Sequence, residues 1–290
     1  MPRMKPVLAE LVDLLALERL ESNLFRGDSV DPGWGTVYGG QVLGQALAAA
    51  EQTVPEDRVP HSVHGYFLRR GDVTRPIVYE VDRIRDGRSF TTRRVVAIQK
   101  GRAIFNMSAS FQRAEPGMDH QAEMPDVAGP DGLLSESELA RRAADRIPEA
   151  LKARAFAERP IEMRPVEPYD PMVPEVRPPR RAIWCRAVDR LPDDPRLHRY
   201  LLTYTSDSHL LGTAMQAHGL SWLTPGMQVA SLDHTMWFHR PLRMDSWVLH
   251  VIESPSACGA RGLVRGQFFT ADGVLVASTV QEGLIRRWEG

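Results

Sequence analysis

Residues 39 to 50 read GGQVLGQALAAA, a run of strong helix formers after two glycines. The apolar residues recur at helical spacing and trace one stripe, which consists of Val42, Leu43, Ala46, Leu47 and Ala50. This pattern predicts a buried helix. Leucines at helical spacing predict a second, amphipathic helix over residues 7 to 20, ahead of the buried one.

Four segments rich in β-branched or aromatic residues follow the buried helix. They cover residues 62 to 69, 76 to 85, 89 to 99 and 103 to 112. Turn signals separate them at Arg70-Gly-Asp72, Asp86-Gly87 and Lys100-Gly101, and Asp-Gly is a strong hairpin signal. One helix followed by an antiparallel meander is the simplest interpretation.

Residues 114 to 180 differ in composition from the segments on either side. Proline and charge are concentrated near both ends of this stretch, so those ends cannot bury much surface. Between them, residues 135 to 157 could form a polar helix interrupted at Pro148. We interpret residues 114 to 180 as a linker between an N-terminal unit, residues 1 to 113, and a C-terminal unit, residues 181 to 290.

The C-terminal unit repeats the order of the N-terminal unit. A helix-like segment from His209 to Ala217 precedes strand-like stretches at residues 227 to 239, 246 to 253, 261 to 270 and 274 to 285. Phe67-x-Arg69 and Phe238-x-Arg240 hold corresponding positions in the two units. The repetition indicates duplication of one helix-and-sheet unit, whose two copies can bury a face that neither could bury alone.

Charge and cysteine content exclude several classes of partner and site. The chain has 36 basic and 37 acidic residues, so it lacks a whole-protein attraction to nucleic acid or to anionic membranes. Acidic residues interrupt the leucine-rich start, which argues against a signal peptide, and no apolar run approaches the roughly 20 residues of a membrane span. Cys185 and Cys258 lack the CxxC spacing of a zinc or redox site. We therefore expect a cytoplasmic protein.

Several motifs point to a known family by their order and spacing. The second half carries Tyr204-Thr-Ser-Asp207, Ala230-Ser-Leu-Asp-His-Thr235 and Val276-Ala-Ser-Thr-Val-Gln-Glu-Gly283. The first half adds Gly39-Gly-Gln41, Tyr66-Phe-Leu-Arg69, Asp86-Gly-Arg-Ser-Phe90 and Ala109-Ser-Phe111. Over roughly residues 20 to 113 and 180 to 286, the chain resembles the acyl-CoA thioesterase II (TesB-like) family.

The resemblance implies an α+β fold of the double hot-dog class, in which an antiparallel sheet curves around a long apolar helix in each repeat. The order of elements allows this fold, although other α+β topologies share that order. The resemblance also implies a hydrolase that cleaves the thioester of acyl-CoA with water and without a metal or other cofactor. By motif, it places Asp207, Ser231 and Gln281 around that water, and Ser231 stands where threonine is commoner in the family.

These side-chain types suit thioester hydrolysis. A carboxylate can accept the water proton, a hydroxyl can orient the water, and an amide can hold the water or polarise the carbonyl. An ordinary aspartate, with a pKa about 3.9, is a weak base, so the hypothesis requires that Asp207 is desolvated and its pKa raised. We expect medium- or long-chain fatty acyl-CoA as the substrate, with its tail in an apolar channel between the repeats.

Each candidate residue also has a plainer interpretation when it is taken alone. Asp207 directly precedes the predicted helix at residues 209 to 217, where an aspartate is most often an N-cap. Ser231 is an ordinary strand hydroxyl, and Gln281 is typical of the exposed end of a strand. Only the joint pattern favours a site.

Other residues and functions fit less well. His234 and His239 lie five apart on one strand and therefore on opposite faces, which indicates structural histidines rather than a shared metal site. The motifs also leave open a non-catalytic acyl-CoA binding module or a hot-dog enoyl-CoA hydratase, although His209 is the only histidine beside Asp207. Because exposed strand edges need covering, we expect a homo-oligomer.

Overall fold

Two helices lie in the first half of the chain, and both form where the apolar spacing predicts them. A computed structural model describes residues 4–288. Helix α1 (Pro6–Leu15) begins with proline, which suits a first helical position, and it buries three leucines. Helix α2 (Gly39–Glu51) is buried on all sides from its second residue onward. It is the helix around which the first half is built.

The strands of the first half form an antiparallel array against α2. They are β1 (Glu18–Glu21), β2 (Leu24–Gly27), β3 (Val59–Phe67), β4 (Ile77–Asp86), β5 (Phe90–Gln99) and β6 (Arg102–Gln112). Strands β3 to β6 lie within two or three residues of the four predicted segments, because each turn signal ends a strand where the sequence indicates. Strands β1 and β2 are additions that the sequence analysis did not predict.

The predicted linker contains two short helices and one strand. Helix α3 (Glu136–Arg142) begins with a capping box in which Ser135 and Glu138 exchange hydrogen bonds. A 3-10 turn (Ala144–Arg146) leads to helix α4 (Glu149–Ala155), and Pro148 is the N-cap of that helix. The predicted polar helix is therefore present, and it is divided at Pro148. Strand β7 (Ile161–Pro165) follows and joins the sheet.

The second half has the same plan with one helix added. Its elements are β8 (Arg180–Ala187), α5 (Pro195–Ser206), α6 (Leu210–Gln216), β9 (Met227–Ser231), β10 (Asp233–Phe238), β11 (Val248–Cys258), β12 (Arg261–Thr270) and β13 (Leu275–Arg287). Helix α6 packs on β11, β12 and β13, as α2 packs on β4, β5 and β6. Helix α5 was not predicted, and it packs against α2 of the first half.

All strands belong to one antiparallel sheet that joins the two halves edge to edge. Its order is β1-β2-β4-β5-β6-β3-β10-β13-β12-β11-β8-β7, and β9 pairs with β13 off this path. The halves meet at β3 and β10, where residues from Asp233↔Tyr66 to Trp237↔Ser62 are paired. Read outward from this junction, β3-β6-β5-β4-β2-β1 on one side corresponds strand for strand to β10-β13-β12-β11-β8-β7 on the other. This correspondence is the duplication that the sequence indicates.

Two predicted elements differ from the structure in their extent. The first helix ends at Leu15 instead of residue 20, because the chain turns into β1. The strand predicted over residues 227 to 239 is broken at Leu232 into β9 and β10, which pair with β13 and β3 in turn. The domain limits at 113 and 180 stay a prediction. Within residues 4–288, no helix is long and apolar enough to cross a lipid bilayer.

Candidate active site

Asp207 stands at the break between the two helices of the second half. It is the C-cap of α5, and two residues later His209 adopts a left-handed conformation with φ 67° that starts α6 in a new direction. The plain interpretation of Asp207 as the N-cap of the following helix is wrong, since α6 has no side-chain cap. The helix break instead turns the Asp207 side chain toward the first half.

The Asp207 carboxylate receives hydrogen bonds from both halves of the chain. The Gln281 amide donates from Nε2 to Asp207 Oδ1 over 2.8 Å. The backbone N–H of Gly40, in the first turn of α2, is a second donor. Helix α2 has no side-chain cap of its own, so a carboxylate from the second half lies at its positive N-terminal end. The candidate site is therefore built at the junction of the repeats.

Two glycines make this approach possible. A Cβ added to Gly39 would lie 2.6 Å from Asp207 Oδ2 and 2.9 Å from the Phe67 ring. A Cβ added to Gly40 would collide with the backbone carbonyl oxygen of Tyr204, in α5. The pair Gly39–Gly40 thus sets the contact between α2 and α5. From sequence, these glycines are placed only at the start of the buried helix, and their contact with the candidate base is missed; a Gly-Gly pair at a predicted helix start is the available signal.

The surroundings of Asp207 raise its pKa to about 7. Burial of the carboxyl group is the main cause, and the hydrogen bonds from Gln281 and Gly40 oppose it. The residue as a whole is half-buried. This is the desolvated aspartate that a general base would require.

Two tyrosines lie around the carboxylate, and an arginine lies near the tyrosines. The rings of Tyr38 and Tyr204 meet edge to face with centroids 5.0 Å apart, and the Tyr38 hydroxyl is 2.8 Å from Ser208 Oγ. Burial raises the pKa of both tyrosines, and the Asp207 charge raises it further. Arg159, from the linker, lowers the pKa of both. Both tyrosines are therefore neutral hydrogen-bond donors at neutral pH.

The linker also covers His209. The Nε2 atom of His209 is 3.1 Å from Met163 Sδ and 3.3 Å from Glu136 Oε1. Burial lowers the pKa of His209, and Glu136 opposes that effect. A hydratase would need a histidine that shares its water with the aspartate, whereas the His209 ring is directed at α3 and β7.

Ser231 is near the other two candidates in the sheet but is not hydrogen-bonded to them. It is paired with Gly283 on β13, two residues from Gln281 and on the same face of that strand. Among the hydrogen bonds of residues 4–288, none involves the Ser231 hydroxyl and either Asp207 or Gln281. Gln281 itself is fully buried in the middle of β13, so the alternative of an exposed strand end is wrong. The structure thus joins Asp207 and Gln281 and places Ser231 one strand away.

Two helix-and-sheet repeats, with a buried carboxylate at their junction, define a protein of the double hot-dog class. The crystal structure of the acyl-CoA thioesterase II TesB2 from Mycobacterium marinum superimposes with a TM-score of 0.77 at 41% identity, covering 97% of this chain and 99% of that one. The tesB protein of Mycobacterium avium subspecies paratuberculosis has a TM-score of 0.79 at 31% identity, covering 96% and 99%. The predicted fold class is confirmed.

Sequence comparisons agree with the structural ones. The family model of the acyl-CoA thioesterase N-terminal domain matches residues 30–112, and that of acyl-CoA thioesterase matches residues 150–284. Acyl-CoA thioesterase 2 of Haemophilus influenzae is 44% identical, over 98% of this chain and 99% of its own. Human acyl-coenzyme A thioesterase 8 is 42% identical, over 94% and 88%.

The chain therefore belongs to the acyl-CoA thioesterase family, as its motifs predict. It is a thioester hydrolase whose substrate class is acyl-CoA.

Proposed function

We propose that this thioesterase converts medium- or long-chain fatty acyl-CoA to free fatty acid and CoA, and that Asp207, Ser231 and Gln281 act on the attacking water. The observation that carries the proposal is the hydrogen-bonded Asp207–Gln281 pair, in which the pKa of the carboxyl group is about 7. A carboxylate with that pKa is a far better base than an ordinary aspartate, and it is still ionised at slightly alkaline pH.

The proposed reaction needs no covalent enzyme intermediate. Asp207 takes one proton from water while the water oxygen bonds to the thioester carbonyl carbon. The tetrahedral intermediate then breaks its carbon–sulfur bond, and the CoA sulfur leaves with the electron pair and receives a proton, for which protonated Asp207 is the nearest source. Gln281 keeps the carboxylate in place, and the Ser231 hydroxyl orients the water.

An apolar acyl tail has a suitable surface beside Asp207. The Phe67 ring, at the end of β3 in the first half, reaches the same point as the Asp207 carboxylate next to Gly39. Phe105 packs against Phe67 with ring centroids 5.0 Å apart. These rings support an acyl channel at the repeat junction, with the thioester at Asp207 and the tail directed between the two repeats.

The test is release of free thiol from acyl-CoAs of increasing chain length by the wild type and by Asp207→Asn. We expect release that is greatest for medium or long chains, and a fall in kcat of about 10²- to 10⁴-fold in the variant, since a positioned base contributes that much. Asp245→Asn is the matched control, because Asp245 is a partly buried aspartate of the same half that bonds to Arg243.

The other outcomes favour different functions. Tight binding of acyl-CoA with no thiol release at any chain length would indicate a binding module, and addition of water to an enoyl-CoA would indicate a hydratase. Thiol release that survives Asp207→Asn with full kcat would remove Asp207 from the proposed role as base.

Two further expectations belong to the proposal. The sheet ends in strands β1 and β7, whose outer edges are open within residues 4–288, and edges of that kind support a homo-oligomer. A concentration-independent monomer mass by light scattering would contradict a homo-oligomer.

A cytoplasmic location is supported by two cysteines that form no disulfide, Cys185 and Cys258.

A further inference from the structure

Four buried polar atoms on the strands around Gln281 have no hydrogen-bond partner in residues 4–288. They are His234 Nδ1, His250 Nε2, Thr279 Oγ1 and Gln281 Oε1, and each of these residues is at most 2% exposed. We call these four residues the inner polar cluster. Buried polar groups in native proteins are nearly always paired with protein or with ordered water, so a group of four requires an explanation.

The sheet register brings the cluster together on one face. Thr279 and Gln281 alternate on β13, and Thr279 is paired with Gly266 on β12. His234 lies one residue beyond the Thr235↔Val280 pair, which sets it opposite Gln281. His250 comes from β11, where its ring stacks on Phe268 at 3.9 Å. Strands β10, β11 and β13 thus contribute polar side chains to the same place, and β12, between β11 and β13, contributes Gly266.

The His250 and Thr279 side chains point into the same space beside Gly266. A Cβ added to Gly266 would lie 2.6 Å from His250 Nε2 and would collide with Thr279 Oγ1. Both polar atoms therefore lie over the same bare stretch of backbone, yet they form no hydrogen bond to each other. A small molecule with both donor and acceptor capacity, such as water, would satisfy the two together.

Hydrogen-bond directions identify which cluster atoms need a donor. Ser206 has one hydroxyl proton, and it donates that proton to the Thr203 carbonyl oxygen over 2.8 Å. His234 Nε2, 2.9 Å from Ser206 Oγ, must therefore be the donor of that pair, which leaves His234 Nδ1 as an acceptor. Gln281 uses Nε2 as the donor to Asp207, so its Oε1 is an acceptor too. Two acceptors without donors lie opposite each other on β10 and β13.

These two acceptors matter for the orientation of the Gln281 amide. If the amide were rotated by half a turn, its Nε2 could donate to His234 and its oxygen would face the Asp207 carboxylate, which repels it. Donors on the inner side favour the productive orientation by occupying Gln281 Oε1. The Thr279 hydroxyl is two residues along the same strand face, and His250 is next to it.

We propose that Thr279 and His250 hold ordered water that donates to Gln281 Oε1, so that both are positioning residues which keep the Gln281 amide turned toward Asp207. The inference rests on the proposed function of Asp207 and Gln281. The inference assigns a role in catalysis to the inner polar cluster, whereas the sequence indicates only a structural role for His234. Thr279 and His250 act through Gln281 and the water, and neither touches the substrate.

The first test compares Thr279→Val with Thr279→Ser by kcat, KM and melting temperature. Valine keeps the shape of threonine and removes the hydroxyl. We expect Thr279→Val to lower kcat about tenfold or more at nearly unchanged KM, since small losses of alignment carry such costs, and Thr279→Ser to restore kcat. Thr91→Val, in an equally buried strand threonine of the first half, is the control and should leave kcat unchanged.

The melting temperature separates the proposal from its opposite. If the Thr279 hydroxyl has no partner, its removal relieves an unfavourable burial, so Thr279→Val would be more stable than wild type with unchanged kcat. That result would overturn the proposal. If water is held there, the variant is less stable and slower, and serine corrects both. A loss of stability and activity that serine does not correct would also count against the proposal.

The pH profile gives a readout that a purely structural role would not change. With the amide donor misdirected, the carboxylate loses its partner and the acidic limb of kcat moves to higher pH in Thr279→Val. Tyr38 and Tyr204 also face Asp207, Arg159 lies near both tyrosines, and Glu136 lies near His209, but Thr279→Val alters none of them.

His250→Phe is a second variant in case the Thr279 variants fold poorly. It keeps an aromatic ring over Phe268 and removes Nε2, so we expect the same fall in kcat and the same direction of the pH shift. Unchanged kcat and pH profile in His250→Phe would exclude His250 from the proposed role. Thiol release by the wild type and its loss in Asp207→Asn are measured in the same assay, so failure of this inference is distinguishable from failure of the proposed function.

Discussion

Helix α2 of the first repeat runs unbroken for 13 residues, whereas α6, its counterpart in the second repeat, has only 7. In the first repeat, Gln45 donates to the Leu14 and Asp28 carbonyl oxygens and accepts from the Tyr79 hydroxyl. In the second repeat, Gln281 has one donor bond to Asp207 and an unpaired oxygen within residues 4–288.

The comparison shows how one architecture serves two purposes. In the first repeat the Gln45 amide, between helix and sheet, is paired with the Tyr79 hydroxyl and with two backbone carbonyl oxygens, so this pair specifies a core. In the second repeat the helix is interrupted at Asp207, whose carboxylate faces the first half, and the buried polar groups nearby keep free hydrogen-bonding capacity within residues 4–288. The first repeat still contributes the N-terminus of α2, so the site requires both.

The largest effect is expected at the contact between α2 and α5, which joins the two repeats. In Gly40→Ala the added Cβ meets the backbone oxygen of Tyr204, which cannot move without shifting α5. We expect a loss of about 3 kcal/mol or more of unfolding free energy, at or above the usual cost of overpacking, together with loss of kcat. Chemical denaturation and thiol release measure the two effects.

Gly117→Ala is the control for that substitution, because a Cβ at Gly117 meets no atom within 4 Å. It should match the wild type in stability and in kcat. Gly40→Ala with wild-type stability would mean that α2 and α5 are not held as closely as the Gly40–Tyr204 contact requires.

One substitution applied to both repeats separates the two kinds of glutamine. Gln281→Leu removes the donor to Asp207, so we expect kcat to fall about 10²-fold while the melting temperature changes little. Gln45→Leu leaves the Tyr79 hydroxyl and the carbonyl oxygen of Leu14 unpaired, so it should cost about 1–3 kcal/mol of stability at unchanged kcat. The reverse pattern, or equal effects on kcat, would refute the division of roles.

Much of this architecture is predictable from sequence because local signals end each element. Asp86-Gly87 and Lys100-Gly101 place the hairpins of the first half, and the alanine-rich run fixes α2. The motif resemblance alone predicts that Asp207 and Gln281 lie in one site. Helix α5 was not predicted, because its first turns, PRLHR, mix charged and apolar residues.

The contacts across the junction were not predictable. Whether the Gly40 N–H reaches Asp207 depends on how α5 packs on α2, which no local pattern specifies. The unpaired atoms of His250 and Thr279 depend on strand register across β11, β12 and β13. Such features follow from tertiary packing, which overrides the local preference of each residue.

The pH dependence of stability distinguishes Asp207 from paired carboxylates of the first repeat such as Asp57 and Asp72, whose side-chain hydrogen bonds lower their pKa. Its folded-state pKa, about 7, lies above the ordinary value of 3.8, so the native state holds the proton more tightly than the unfolded chain. This contribution is complete below about pH 4 and is lost as the pH rises through about 7. Because asparagine cannot ionise, Asp207→Asn should gain roughly 1–2 kcal/mol over wild type at pH 8, allowing for partial exposure.

Thermal unfolding at pH 4 and pH 8 checks that sign. The gap between Asp207→Asn and wild type should open with increasing pH and be small at pH 4. A gap that is larger at pH 4 would mean that the Asp207 pKa is lowered in the folded protein, and the carboxylate would then be too weak a base for the proposed role.

The smallest expected effect tests whether the first repeat is only a core. The Tyr79 hydroxyl is fully buried and donates to Gln45 Oε1 over 2.7 Å, and burial raises the pKa of Tyr79 well above 10, so it stays a donor. Tyr79→Phe removes that donor and leaves Gln45 Oε1 with the longer contact from Gln41 Nε2, 3.4 Å away. We expect a loss of about 1 kcal/mol of unfolding free energy and no change in kcat, KM or the pH profile. Helix α2 carries both Gln41 and Gln45, and its first turn binds Asp207. A change in kcat without a change in stability would therefore show that the polar groups of the first repeat also set the position of Gly40. The two repeats would then have to be treated as one site.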